Sequence, residues 1–121
     1  MVLVDTSVWI AHFRQASPAL VHLLEEGLVA AHPFVIGELA CSHLRNRAEI
    51  IRLLATLHRC ETASHDEVLT FIDRHKLMRT GLGYVDVHLL ASALIDRVHL
   101  WTLDRRLKHT ASRLNVAHTA T

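Results

Sequence analysis

Four acidic residues in this chain keep unusual company. Of its twelve Asp and Glu, most sit among polar residues or near the ends of helix-like segments, where a solvated face or a cap accounts for them. Asp5, Glu38, Asp86 and Asp104 do not. Asp5 follows Val2-Leu3-Val4, and Asp104 follows Leu100-Trp101-Thr102-Leu103. Glu38 lies inside Phe34-Val35-Ile36-Gly37-Glu38-Leu39-Ala40, and Asp86 opens the most apolar stretch of the chain. Taken singly, Asp5 and Asp104 could cap the helices that follow, and Asp86 could sit at a helix N-terminus. As a set they read differently, because a carboxylate in apolar surroundings is costly without a partner. No Lys or Arg lies within three residues of Asp5, Glu38 or Asp86. Acids converging without cations would repel one another unless a positive ion sat between them. Oxygen-only ligands favour a hard cation, Mg2+ or Mn2+, over zinc. Carboxylate-held divalent ions typically work on phosphates. Phosphodiester hydrolysis fits better than kinase chemistry, since neither GxxxxGK[ST] nor GxGxxG occurs.

The acids can meet only if the chain brings them to one rim. Val2-Leu3-Val4 predicts a short buried strand ending at Asp5, and Thr6-Ser7 starts a helix. Ser17-Pro18 starts a second helix that Gly27 ends, and residues 28–31 form a second strand. Helical spacing resumes from Phe34 through Leu44, and again from Ile50 to Leu57. Ser64-His65-Asp66-Glu67 matches a capping box at the head of a helix through Ile72. Lys76 to Gly83 reads as a loop. Val85 to Arg97 is a helix apolar on most sides, hence central, and His99 to Leu103 is a strand ending at Asp104. Arg105 to Leu114 is a basic helix, and Val116-Ala117 is a last strand. Strands alternating with helices predict one α/β domain over residues 1–121, a short parallel sheet with helices on both faces. Ligands of such sheets bind at the carboxyl ends of the strands, where Asp5 and Asp104 would converge.

Composition narrows the class. A chain of 121 residues, 50% hydrophobic, suits one domain and one core. Cys41 and Cys60 are too few for a disulfide framework and form no CxxC pair, so a cytoplasmic setting is expected. The longest apolar stretch is far short of a membrane span, and the first residues carry no basic n-region. Eleven histidines are scattered without HExxH or zinc-type spacing. The net charge of +1 hides basic residues, Lys76, Arg79, Arg105, Arg106 and Lys108, expected beside the strand ends. There they would contact RNA phosphates with little sequence reading.

At these residues the chain resembles the PIN-domain ribonucleases, most closely the VapC-type toxins of prokaryotic toxin–antitoxin pairs. The resemblance is carried by Val4-Asp5-Thr6-Ser7-Val8-Trp9-Ile10, Gly37-Glu38-Leu39-Ala40, Tyr84-Val85-Asp86 and Leu100-Trp101-Thr102-Leu103-Asp104, in the family's order and over essentially the whole chain. It implies a Mg2+- or Mn2+-dependent endoribonuclease with its four acids at Asp5, Glu38, Asp86 and Asp104, and supporting hydroxyls at Ser7, Thr102 and Thr6. It further implies structured RNA such as tRNA as substrate, a homodimer, and a cognate antitoxin that covers the site. One departure is Asp96-Arg97-Val98, where many relatives carry a glycine, which puts the local turn in question. The alternative is a PIN-like module that binds RNA or protein without catalysis. A dehalogenase-type phosphatase is disfavoured because Ser7 stands where its second Asp belongs. A response-regulator receiver is disfavoured because paired acids after the first strand and a lysine after the last are both missing.

Overall fold

The computed structural model describes residues 1–119; the last two residues of the domain expected over 1–121 lie outside it. Four short strands form one parallel sheet: β1 (Val2–Val4), β2 (Val29–Ala31), β3 (His58–Arg59) and β4 (His99–Trp101). The helices are α1 (Thr6–Arg14), α2 (Pro18–Glu25), α3 (Pro33–Ala40), α4 (Arg47–Leu54), α5 (His65–His75), α6 (Tyr84–Asp96) and α7 (Arg105–Arg113), with a 3-10 turn over Leu77–Arg79. The sheet order is β3-β2-β1-β4. The chain therefore advances outward from β1 to β3, then crosses back to lay β4 on the other side of β1. That reversal opens a crevice at the carboxyl ends of β1 and β4, the usual ligand position in open α/β sheets. Right-handed crossovers in opposite directions place helices on opposite faces. Accordingly α1, α3 and α4 pack as one group, and α5 packs on α6.

β1 and β2 are buried along their length, as β-branched and small apolar residues covered on both faces should be. From Val87 to Ala93 every residue of α6 is buried, so this helix is the central one expected from its apolar circumference. Ser17 caps α2 with Pro18 at its first position, and Ser64 and Glu67 form the expected capping box on α5.

Several element ends differ from the sequence reading. The helix expected to reach Leu44 stops at Ala40. Ser42 donates to the Glu38 carbonyl and Arg47 donates to the Ala40 carbonyl, satisfying groups that another turn would have used. The helix expected to reach Leu57 stops at Leu54, where the Thr56 hydroxyl takes the Leu53 carbonyl. β3 went unread because His58 and Arg59 are both exposed at the sheet edge and carry no apolar alternation. The strand expected to run to Leu103 ends at Trp101, and Val116-Ala117 contributes only a single bridge, Leu100 to Ala117. The stretch expected as a loop from Lys76 to Gly83 contains the 3-10 turn.

Arg97, at the position lacking the relatives' glycine, adopts φ +55° and ends α6 in the left-handed conformation. The turn is kept and the residue bears the strain. Arg97→Gly is expected to stabilise the fold by about 1 kcal/mol, read as a rise of about 4 °C in Tm. An unchanged or lower Tm would show that the arginine is not strained there.

Candidate active site

Parallel pairing sets Val4 of β1 beside Trp101 of β4, so the next residues, Asp5 and Thr102, leave the sheet at one level. The backbone N–H of Asp5 donates to the Trp101 carbonyl at 2.9 Å, carrying the ladder to that point. Asp5 occupies the N-cap position of α1, yet its side chain makes no capping hydrogen bond. The carboxylate points to other work. Although it is only 7% exposed, its Oδ2 accepts from the Ser7 hydroxyl at 2.7 Å and from the Thr102 hydroxyl at 2.7 Å. Those hydroxyls in turn accept from the backbone N–H groups of Leu103 and Asp104, both at 3.0 Å. Each hydroxyl has spent its one proton on Asp5, which fixes the direction of every bond in the network.

The other three acids are tied in the same manner. Glu38, on α3, accepts from the Thr6 hydroxyl through Oε1 at 2.7 Å. Asp86, in the first turn of α6, accepts from the Gly83 N–H through Oδ2, and Asp104 caps α7 through Oδ1 to the Leu107 N–H. Capping is thus part of what Asp86 and Asp104 do. Among the described residues, each of the four carboxylates spends one oxygen on hydroxyl or backbone donors, and no Lys or Arg donates to any of them. The expectation of four carboxylates in apolar burial needs correction: Asp5 is buried and Asp86 half-buried, whereas Glu38 and Asp104 are exposed. The apolar neighbours Val35 and Leu39 of α3 and Leu100 and Trp101 of β4 are buried, while these two acids stay on the surface.

Three of the acids nonetheless act on the fourth. Partial burial pushes the Asp86 pKa up, the Gly83 N–H opposes this, and the charges of Asp5, Asp104 and Glu38 push it further up. Asp86 therefore lies in the field of all three. They do not close into a cage: among the described residues no three His, Cys, Asp or Glu side chains are drawn up around one point. The donor set is entirely oxygen, with one oxygen of each carboxylate outside these hydrogen bonds, and so it fits a hard divalent cation.

Beyond Asp104, a groove of about 420 Å³ is lined by Arg79, Thr80, Arg105, Arg106, His109, Thr110 and Arg113. The structure thus brings Arg79, Arg105 and Arg106 together and adds Arg113, which the sequence reading missed; Lys76 and Lys108 do not line it. Lys76 instead ends α5 at φ +55°. Gly81, at φ +77°, leaves the space the Arg106 side chain uses, since a Cβ there would lie 2.9 Å from the guanidinium.

His32 was also missed. It is wholly buried, at 0% exposure, and caps α3 by accepting from the Phe34 N–H at Nδ1. Ser92, on α6, gives its proton to the Glu61 carbonyl, so Nε2 of His32 must donate to the Ser92 hydroxyl. This bond holds the helix carrying Glu38 against the helix carrying Asp86. A histidine before Pro33 carries no capping signal in sequence, which explains the omission.

Comparison with known proteins places the chain in a family. The PIN domain model matches residues 2–113. The chain is 46% identical over 118 residues to Ribonuclease VapC32 of Mycobacterium tuberculosis, in each of two strains, covering 97% of this chain and 95% of the relative. The crystal structure of PAE2754 from Pyrobaculum aerophilum superposes with a TM-score of 0.59 at 20% identity, over 90% of this chain and 78% of that one, which supports the fold. The chain belongs to the PIN-domain family, in its VapC-type branch.

Proposed function

We propose that this protein is an endoribonuclease that hydrolyses phosphodiester bonds in structured RNA such as tRNA, using Mg2+ or Mn2+ held by Asp5, Glu38, Asp86 and Asp104. It acts as the toxin of a toxin–antitoxin pair, in the cytoplasm, as a homodimer restrained by a cognate antitoxin. The observation that carries this reading is Asp86 in the field of Asp5, Asp104 and Glu38, with no Lys or Arg among the described residues donating to any of the four. The 46% identity to a protein named Ribonuclease VapC32 supports RNA as the polymer.

A divalent cation held there supplies Lewis-acid stabilisation of phosphoryl charge and acidifies a water for in-line attack. The side chains prepare for it. Asp5, fixed by two hydroxyls at one oxygen, would hold the ion together with Asp86 and Asp104. Glu38, exposed and steered by Thr6, either ligates or orients the attacking water. Arg79, Arg105, Arg106 and Arg113 hold backbone phosphates along α7, a grip weakened by salt. Products carry 5′-phosphate and 3′-hydroxyl ends.

The test is labelled tRNA incubated with purified protein in Mg2+ or Mn2+, and again in excess chelator. Metal-dependent cutting is expected. Cutting in excess chelator, or 2′,3′-cyclic phosphate ends, would overturn the mechanism, and binding without any cut product at any metal concentration would leave a binding module instead. Thr102→Val keeps the side chain's shape but removes a hydroxyl from Asp5 and orphans the Asp104 N–H. Groups that orient metal ligands are worth about 10–100-fold in metal affinity or activity. The variant's half-saturating Mg2+ concentration should rise by about that factor, and an unchanged metal titration would remove Thr102 from the site.

A further inference from the structure

A set of aromatic rings on α3, α5 and α6 takes no part in the carboxylate chemistry. Tyr84, two residues before Asp86 on α6, is 44% exposed. Its hydroxyl is hydrogen-bonded to Nδ1 of His65, the first residue of α5, at 2.7 Å. One turn along α6, His88 packs edge-to-face with Tyr84, their ring centres 4.6 Å apart, and meets Phe34 at the same separation. Phe34 lies one turn before Glu38 on α3 and packs in turn on the buried ring of His32. A continuous file of rings runs from the buried His32 to the exposed Tyr84, which shares the first turn of α6 with Asp86.

We propose that the exposed part of the Tyr84 ring is a stacking platform for one base of the RNA strand at the cleavage site, with His65 as the residue that positions it; the inference rests on the ribonuclease reading above. The Tyr84 ring offers apolar aromatic surface in the helix turn that carries Asp86. Bases in loops and single strands are recognised mainly by stacking on such rings. Tyr84 is prepared for this. Its hydroxyl is tethered and its ring braced by His88, so little side-chain freedom is lost when a base settles on it. The chemistry around it also selects a base over a phosphate. The neighbouring carboxylates repel phosphate, whereas the arginines that attract it line a separate groove along α7. The platform is uncharged and takes the neutral part of a nucleotide. Stacking of this kind tolerates sequence, so it sets the strand's position at the acids and leaves the choice of target to other surfaces.

Tyr84 is the chain's one tyrosine, which gives a direct probe. Protein labelled with 3-fluorotyrosine shows a single ring fluorine resonance, and this is followed by NMR in excess chelator with the tetranucleotide r(AAAA) or with a ribose-phosphate oligomer of equal length lacking bases. The resonance is expected to shift with r(AAAA) and to stay in place with the base-free oligomer. No shift, or equal shifts, overturns the platform. With tRNA and Mg2+, Tyr84→Ala is expected to raise KM about tenfold, in the range of one lost base–aromatic stack, with kcat within about twofold of the parent. Tyr84→Phe should recover most of that loss, because it keeps the ring. An unchanged KM in Tyr84→Ala overturns the proposal, and if that variant does not fold, the fluorine readout on the parent chain decides alone. Failure of the parent reading looks different: without metal-dependent cleavage of tRNA the nuclease assignment falls, whereas cleavage with an unmoved fluorine resonance removes the stacking platform only.

Discussion

Asp5→Asn is expected to lower the rate of Mg2+-dependent tRNA cleavage by at least about 100-fold, the scale of several kcal/mol of transition-state charge stabilisation, while the protein stays folded. The two halves of this expectation have separate physical sources. The amide oxygen of Asn accepts from the Ser7 and Thr102 hydroxyls as Oδ2 does now, each at 2.7 Å, so the link between the ends of β1 and β4 survives. The lost charge also relieves the repulsion that Asp86 feels from Asp5, so Tm should hold or rise. What disappears is the anionic ligand at the centre of the set. A neutral amide is a poor partner for a hard cation. Gel analysis of end-labelled tRNA measures the first half and thermal denaturation the second. Cleavage by Asp5→Asn at the parent rate would refute the four-acid mechanism. A collapse in Tm would mean instead that Asp5 serves chiefly to hold the fold.

Acidification is expected to destabilise the fold through His32. Burial, reinforced by the nearby His88, brings the His32 pKa down from 6.5 to about 4. The folded chain therefore keeps His32 neutral at pH values where the unfolded chain protonates it. The unfolded state binds more protons across that window, so stability is full above about pH 6.5 and declines as pH falls toward about 4. At 1.36 kcal/mol per pH unit the whole loss is about 3 kcal/mol, of which about 2 is gone by pH 5. His88 and His118, also lowered by burial, act in the same direction. Asp86, whose pKa is raised, acts in the opposite one and only nearer its own range. Urea unfolding at pH 7 and pH 5 measures the difference. His32→Asn, which can still cap α3, should be less stable at pH 7 and show a flatter profile between these values. A parent protein equally stable at both would show that His32 does not govern the acid response. The added proton goes to Nδ1, which can then no longer accept from the Phe34 N–H, so acid removes the cap of α3 while Nε2 still donates to Ser92.

The four acids stood out in the sequence because apolar neighbours made them anomalous, and the hydroxyls at Thr6, Ser7 and Thr102 each proved to hold one of these carboxylates or its neighbour. Periodicity and caps located the long elements: the apolar circumference of α6 and the capping box of α5 are local signals, written within a few turns of chain. β3 was invisible for the opposite reason. Two exposed residues carry no pattern, and they form a strand only because the edge of β2 offers them hydrogen bonds.

Local order along the chain thus determined which residues are candidates for chemistry, and most of the elements that carry them, since caps, strand runs and helix faces depend on neighbours in sequence. The exposure of Glu38 and Asp104, the gathering of Arg79 and Arg113 into one groove, and the imidazole that joins α3 to α6 depend on partners tens of residues apart. The sheet order β3-β2-β1-β4 decides those meetings. A linear pattern records what each segment prefers, and only packing fixes which preferences come face to face.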